Sequence, residues 1–493
     1  MTYNHGVKIS EVPTSILPPV EVSAGIPFII GTAPINMTDE SNVNKPILCS
    51  TYAEAVEAFG YVPPKVDGTS GLKKFEYSIS EFIQSQFGLF GVGPAIIVNV
   101  CDSAKHRTSA TTTSVTLDTK LGSATVSESG ILLDSVTLSS EARVYEQNTD
   151  YLLAFDDEGR LVITSLVSED LSFLCETGVA LTFSAQKLDP TAVTEDDVVG
   201  GVSVDGNKRG FELINECFPR FRLTPGIVLA PGFSQSPTVA AVMAAKCSNI
   251  NEVFKAICLV DVPTDTVKRY SDVPAWKNEN NVIDPTQIVC WPMLALDDVV
   301  YHQSTQLAAL IGQVDGNSDD VPYVSPSNKN YQMTAAVTAD GSEVWLGVDA
   351  AAYLNGQGIV TALNFTGGWK CWGNRTACYP GNTDVKDSFI SVRRMFSWVG
   401  NTFIQTYWQR IDYPLTRRQI DTIVASANIW MNGLAARQYI LGGRVEFLAS
   451  ENAIVDLMDG ISKFHVYLTP PSPNREIEFI LEYDPQYVET LFS

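Results

Sequence analysis

Three patterns of apolar and polar residues recur along this chain, and each predicts a different element. Nearly continuous apolar runs bounded by turn signals predict strands buried on both faces: PFIIGTA (27–33), AIIVNV (95–100), GIVLAP (226–231) and FKAICLVDV (254–262). Helical spacing predicts a short helix over 51–60, closed by Gly60, and a second over 71–87, with Leu72, Phe75, Ile79, Phe82, Ile83 and Gln86 on one face. It predicts further helices over 211–218, over 236–250 with Pro237 at the start, and over 297–313. The longest runs over 416–441. Its positions Ile420, Ile423, Val424, Ala427, Trp430, Met431, Leu434 and Tyr439 fall close to one face, and Gly442 and Gly443 end it. Two-residue alternation predicts short half-buried strands at 131–138, 161–163, 444–448 and 464–468, and again in 475–483 beyond the proline break 470–473.

Strand, helix, strand units of this size imply a mainly parallel sheet with helices on its faces. From 103 to 199 the text is instead rich in Ser and Thr, with short strands and turns such as the one at 156–159. The predicted fold is a multi-domain α/β core with mixed, mainly parallel sheets, an inserted mostly-β domain, and extended arms at both ends. Its expected divisions are 1–102 (N-terminal arm and first part of the core), 103–200 (acidic β insert), 201–375 (α/β domain) and 376–493 (C-terminal core domain with the long helix and a C-terminal arm). At 493 residues, 45% hydrophobic and 18% charged, the chain has ample apolar material for several cores.

Charge sharpens this division. The net charge is −23, which disfavours a general nucleic-acid role. Residues 111–200 carry 4 basic and 16 acidic groups, whereas 386–444 carry 8 basic and 3 acidic ones, so the two regions are built for different surroundings. The longest uncharged runs are broken by proline, glycine and amide side chains, so no membrane span is expected, and the N-terminus lacks a signal-peptide pattern. Nine cysteines stand singly, without zinc-like spacing, and read as buried thiols in a chain folded under reducing conditions.

Motifs of catalysis are missing. There is no phosphate-binding loop, dinucleotide fingerprint or HExxH. GFSQS (232–236) places Ser234 where a hydrolase nucleophile sits, but the second glycine is absent and Ser236 reads as a helix cap. The acidic run 156–158 lacks calcium-ligand spacing and reads as a solvated turn. The run WKCWGNR (369–375) fits either a cation–π cluster at an interface or an aromatic core cluster. No catalytic residue, cofactor or metal ligand is therefore expected. What remains is an interaction protein. Two strand-like arms, with Val7, Ile9 and Val12 in one and Ile477, Phe479 and Leu481 in the other, are each set off by prolines. A lone strand leaves its backbone groups unpaired, and donation to a neighbouring copy would satisfy both. Such head-to-tail contacts generate rings or helical filaments.

Several long strings carry a family resemblance: HGVKISEVPTS with PFIIGTAP (within 5–34), TPGIVLAPGFSQSP (224–237), DVPAWK (272–277), WGNRTACYPGNTD (372–384), SVRRMFSWVGNTFIQTYW (391–408) and LTPPSPNREIEFILEYDPQYVETLF (468–492). Through them the chain resembles the tail sheath proteins of contractile-tailed bacteriophages, most closely the Mu-like branch, and least so in 103–200. The resemblance implies a virion protein assembled in the host cytoplasm as stacked rings of six around an inner tail tube, with baseplate and tail terminator proteins as further partners. It implies contraction from a metastable extended state that drives the tube through the bacterial envelope, and a common core containing both termini. On that reading the basic stretch faces the tube through Lys386, Arg417, Arg418 and Arg437. The alternatives are a hydrolase built on 207–375 and a static tube or shell protein.

Overall fold

A computed structural model of the chain describes residues 18–118, 121–141, 143–166 and 180–492. Val7, Ile9 and Val12 of the expected N-terminal arm lie outside the described residues, as does Cys175. The centre is one eight-stranded sheet. Its strands are β1 (Pro27–Gly31), β2 (Ile47–Cys49), β3 (Ala95–Asn99), β4 (Ile227–Leu229), β5 (Ile257–Asp261), β6 (Gln287–Cys290), β7 (Ile359–Asn364) and β8 (Trp369–Trp372). They are arranged β2-β3-β1-β4-β5-β6-β7-β8. The six inner strands are parallel, and β2 and β8 close the two edges antiparallel. Every residue of β1, β3, β4, β5 and β6 is buried, which is why β1, β3, β4 and β5 read as nearly continuous apolar runs; β6, opened by Gln287, is not among the expected strands.

The chain starts at β1, adds β3 on one side, and then builds outward on the other. This is a doubly wound arrangement whose direction reverses between β1 and β4. Strands from both ends of the 1–375 stretch therefore share one sheet. Between β3 and β4 the chain leaves to form a three-stranded and a four-stranded antiparallel sheet over 111–185. These enclose their own core of Leu138, Tyr151, Leu161, Ile163, Leu181 and Phe183.

Helix α1 (Tyr52–Phe59) starts at Thr51, whose hydroxyl accepts the Glu54 N–H, and stops at Gly60, with φ at 74°. The helix expected over 71–87 is shorter. Lys73 and Lys74 form a strand beside Val299, so α2 begins only at Ser78 (Ser78–Ile83) and widens through Gln84–Leu89. The helix expected over 297–313 also starts late. Asp297, at φ 53°, makes the tight turn of a hairpin between Met293–Leu296 and Val299–Tyr301, and α4 follows as Gln303–Gly316. Helix α3 (Pro237–Ser248) precedes it, with Pro237 in the first turn as expected. In the stretch 131–138 a short helical turn at Leu133–Ser135 replaces most of the expected strand.

Helix α4 is buried along most of its length, and side chains from other elements satisfy its first turn. The Glu81 carboxylate accepts the His302 N–H at 2.7 Å and the Thr305 hydroxyl at 2.9 Å, and Asp261 accepts the Ser304 N–H at 3.0 Å. These carboxylates take the place of a local cap and complement the positive end of the helix. The His302 ring lies 2.8 Å from Glu81. Burial opposes a charge on that ring, but Glu81 and Asp261 outweigh burial and the nearby Lys74, so its pKa is pushed up to about 9.

At the other end of α4, Asp315 meets Arg394. The guanidinium donates to Asp315 Oδ1 at 2.9 Å, forms a second bond to Oδ2, and reaches the Ala24 carbonyl at 3.2 Å. Both side chains are buried. Next to this joint Gly226 packs so tightly that a β-carbon would stand 2.0 Å from the Ala24 carbonyl oxygen, so only glycine fits in TPGIV.

Two measurements test these joints. Asp315→Ala leaves a buried guanidinium without its counter-charge, and urea unfolding should show a loss of about 3–5 kcal/mol. Asp315→Leu combined with Arg394→Met should recover much of that loss, and equal losses in single and double variants would contradict the pairing. For His302, the raised pKa gives a contribution fully present below the ordinary value of 6.5 and lost as pH rises through about 9. Between pH 7 and pH 10 the protein should lose roughly 2–3 kcal/mol more than His302→Gln does.

Candidate subunit interface

The C-terminal stretch is built on two helices, α5 (Ile390–Tyr407) and α6 (Arg417–Ala436). Thr416 caps α6 by accepting the Gln419 N–H at 3.2 Å. Ala427, Trp430, Met431 and Leu434 repeat at helical spacing and are buried, whereas Ile420, Ile423 and Val424, on the first half of the helix, are only partly covered. The buried half packs with Met395, Trp398 and Val399 of α5, and the Trp398 and Trp430 rings stand 5.4 Å apart. The helix ends five residues before the expected point. Gln438 turns into the left-handed region, at φ 63°, Tyr439 and Ile440 fold back into this core, and Gly442 and Gly443 open the next strand.

Residues 20–24 run across the same block. Trp398 Nε1 donates to the Val22 carbonyl at 2.5 Å and Trp430 Nε1 to Glu21 Oε1 at 2.9 Å, while Thr406 Oγ1 accepts the Val20 N–H at 2.9 Å. With Arg394 on Ala24, four residues of the helix pair hold the segment that leads out of residues 1–17.

A two-stranded antiparallel sheet follows α6, formed by β9 (Gly442–Glu446) and β10 (His465–Thr469). Its two edges differ. Asn428 of α6 donates to the Val445 carbonyl and accepts the Val445 N–H, each at 2.9 Å, and so occupies the outer edge of β9. Strand β10 has β9 on one side and, among the described residues, no strand on the other. An edge of this kind accepts a further strand. His465 lies on β10, 2.7 Å from Glu451 and stacked near Tyr467, which is a packing role.

Beyond β10 the chain passes through Pro470, Pro471 and Pro473 into an extended stretch that joins no sheet. The strand expected at 475–483 is therefore not formed among the described residues. Ile477, Phe479 and Leu481 are all exposed, Leu481 to 94%. They belong to a wider pattern. Of the 33 large apolar side chains that stand exposed among the described residues, 18 fall in 408–491, a concentration that marks an interaction surface.

The four basic residues expected to face a tube do not form one patch. Arg417 and Arg418 stand exposed in the first turn of α6, with Arg417 3.0 Å from Asp421. Arg437 caps the other end, about 30 Å away along a helix of this length, 3.7 Å from Glu21 and over the Tyr439 ring. Lys386 precedes α5 and pairs with Asp387 at 2.6 Å. Of the other basic groups in this stretch, Arg394 is buried and Arg393 also pairs with Asp387. Charge counting along the sequence could not separate these inward-turned cations from the exposed ones. It also passed over Asn428 and the apolar residues at 408–415 and 454–461.

No protein-family model matches the chain. Among curated proteins, it is 25% identical to the tail sheath protein of Burkholderia phage BcepMu, over 99% of this chain and 98% of that protein. It is 23% identical to a putative prophage major tail sheath protein of Pseudomonas aeruginosa (strain UCBPP-PA14), over 59% of this chain and 73% of that protein. Along nearly its whole length the chain is thus similar to a phage tail sheath protein.

Solved structures agree on the fold of this sheath relative. The sheath complex of an extracellular contractile injection system, PVC, in its contracted state superimposes with a TM-score of 0.57 at 13% identity, covering 99% of both chains. The helical sheath of the anti-feeding prophage, also contracted, gives 0.54 at 13% identity, covering 98% of this chain and all of the other. These relatives are structural proteins, and the hydrolase alternative finds no support at its one candidate residue. Ser234 is fully buried, and its hydroxyl accepts the Asp261 N–H at 3.1 Å. The eight described cysteines are buried. Desolvation pushes thiols such as Cys49 and Cys371 up to about 12, which suits packed groups and not nucleophiles. In the run 369–375, Arg375 stacks over Phe389 and Tyr379 at 3.6 and 4.4 Å, and Trp369 pairs with Trp345.

Proposed function

We infer that this chain is the subunit of a contractile tail sheath, polymerising as stacked rings around an inner tube in a phage tail. The extended assembly stores free energy as a difference between two packings of the same subunits and releases it on contraction to drive the tube through a bacterial envelope. One observation carries this reading: a proline-led segment exposes Ile477, Phe479 and Leu481 and finds no strand partner among the described residues, although the same chain presents at β10 an edge that no described strand occupies. An apolar strand and a vacant edge on one molecule satisfy each other only between copies. The contact is head-to-tail and therefore propagates.

On this reading Val7, Ile9 and Val12 form the matching arm at the other end, entering the lattice from the α5–α6 block. The acidic stretch 103–200 is an insert directed outward, where its charge is solvated. Rings of six, the inner tube, baseplate and terminator proteins as partners, and assembly in the host cytoplasm belong to the same proposal. The tube is met by basic groups among Lys386, Arg417, Arg418 and Arg437. Arg417 and Arg418 support this physically, because two cations in the first turn of a helix oppose its dipole and an anionic partner relieves that cost.

Electron micrographs of the purified chain should show tubes. Truncation after Pro473 should leave the melting temperature unchanged and abolish the tubes. Intact tubes from the truncated chain, or a large fall in its melting temperature, would show that the segment does not join copies. Reversing Arg417 and Arg418 to Glu should weaken association with the tube and reduce its salt dependence, without unfolding the subunit. Tube association indifferent to both the reversal and salt would remove these residues from the contact.

A further inference from the structure

We propose that Arg375 and Arg475 form a carboxylate site at the root of the C-terminal arm, and that a glutamate on the arm of another copy fills it. The proposal rests on the strand-donation reading and adds what holds the donated strand at one end. Arg375 closes the run 369–375, and its side chain is half-buried against rings. The guanidinium lies 3.6 Å from the centre of the Phe389 ring and 4.4 Å from that of Tyr379. The backbone of Arg375 pairs with that of Phe389 in a short antiparallel bridge, and Ser388 Oγ accepts a hydrogen from Nη1 at 2.7 Å. Backbone, rings and hydroxyl together fix the guanidinium in one orientation. Its other donors meet no acceptor among the described residues. A guanidinium stacked on aromatic rings keeps its edge for hydrogen bonding, and that edge matches a carboxylate.

No described carboxylate of the same chain answers that edge. Asp387, next to Ser388, is taken by Lys386, Arg393 and Asn382, and Asp384 accepts the Lys386 N–H at 2.9 Å. What stands near is a like charge. Burial lowers the Arg375 pKa, and the Arg475 guanidinium lowers it further against the opposing effect of Tyr379. Arg475 has one exposed partner, its neighbour Glu476 at 3.3 Å. The occupant follows from the strand contact. Arg475 stands six residues past Thr469, the end of β10, and so within about 20 Å of it. A strand laid on the edge of β10 brings one of its own ends beside Thr469. That end carries Glu478 if the strand runs antiparallel and Glu482 if it runs parallel. Both glutamates are exposed, and neither has an ion-pair partner among the described residues. Each copy thus offers an uncompensated carboxylate on its arm, and an uncompensated guanidinium where a neighbour's arm would end.

Sedimentation of the full chain measures the critical concentration for polymerisation. Arg375→Gln should raise it about tenfold, roughly 1.4 kcal/mol per contact. Arg375→Lys keeps the charge but loses the planar fork, and should behave like Arg375→Gln. One of Glu478→Gln and Glu482→Gln, according to strand direction, should give the same rise at an exposed position where folding is not at stake. Combined with Arg375→Gln it should add little, because both remove one contact. Inorganic phosphate, set against chloride at equal ionic strength, should compete with the glutamate and raise the critical concentration of the parent relative to that of Arg375→Gln. Two glutamate variants that assemble like the parent, or losses that add in full to that of Arg375→Gln, would overturn the contact between copies. A phosphate effect that depends on Arg375 while neither glutamate matters would assign the site to a free anion and overturn the occupant. No difference between parent and variant in phosphate would overturn the site. A parent chain that never polymerises would overturn the sheath reading. The site is then still tested by the melting temperature, which phosphate should raise more in the parent than in Arg375→Gln.

Discussion

The buried pair of Arg394 and Asp315 is the joint on which the organisation of this molecule depends. It ties α4, which packs on the central sheet, to α5, which begins the C-terminal helix pair, and the same guanidinium holds Ala24. A guanidinium and a carboxylate out of water are costly unless the geometry is good and the remaining donors are satisfied. Here two bonds to one carboxylate and one to a carbonyl supply that geometry. The stabilisation over an apolar substitute is small, but the arrangement admits one relative placement of three chain segments. Trp398, one helical turn on, repeats the constraint through Val22. A subunit pulled at its ends by neighbouring copies would transmit that load through this cluster into the sheet.

Much of the fold was legible because burial on both faces leaves a plain mark. Strands β1, β3, β4 and β5 are apolar almost without interruption, and each was placed within a few residues. The errors have a common cause. Leu72 and Phe75 have helical spacing with Ile79, but Lys73 is held in a strand by the distant Val299, a partner that local spacing cannot report. Asp297 turns a hairpin at a positive φ that aspartate adopts more readily than most residues, and its sequence context looked like a helix start. At 436–441 the apolar pattern continued after the helix had stopped, because Tyr439 and Ile440 return to the same core from a different backbone direction.

The interface was legible only where sequence carries a physical contradiction. An apolar alternation set off behind three prolines needs a strand partner that the sequence around it does not supply, so 475–483 stood out. Ile454, Val455 and Met458 gave no such sign, since apolar residues at helical spacing look the same whether they face a core or a partner. The basic stretch misled in the opposite way. Its positive balance is real, but Arg394 spends its charge inside the subunit and Arg393 and Lys386 share Asp387, so the surface they leave is more broken than the sequence implied.

A sheath that contracts must change contacts between subunits without dissolving, and the strand contact proposed here is of a kind that tolerates that change. Backbone pairing at β10 depends on strand register and on the reach of a short, proline-stiffened linker, and it is indifferent to how the bodies on either side are turned. The strand contact therefore suits a connection kept in both states. It needs a firm attachment of its edge to the body of the subunit. The Arg394 joint ties α5 to α4 on the central sheet, and Asn428 ties α6 to the hairpin, so side-chain contacts link the open edge at β10 back to the core of the subunit.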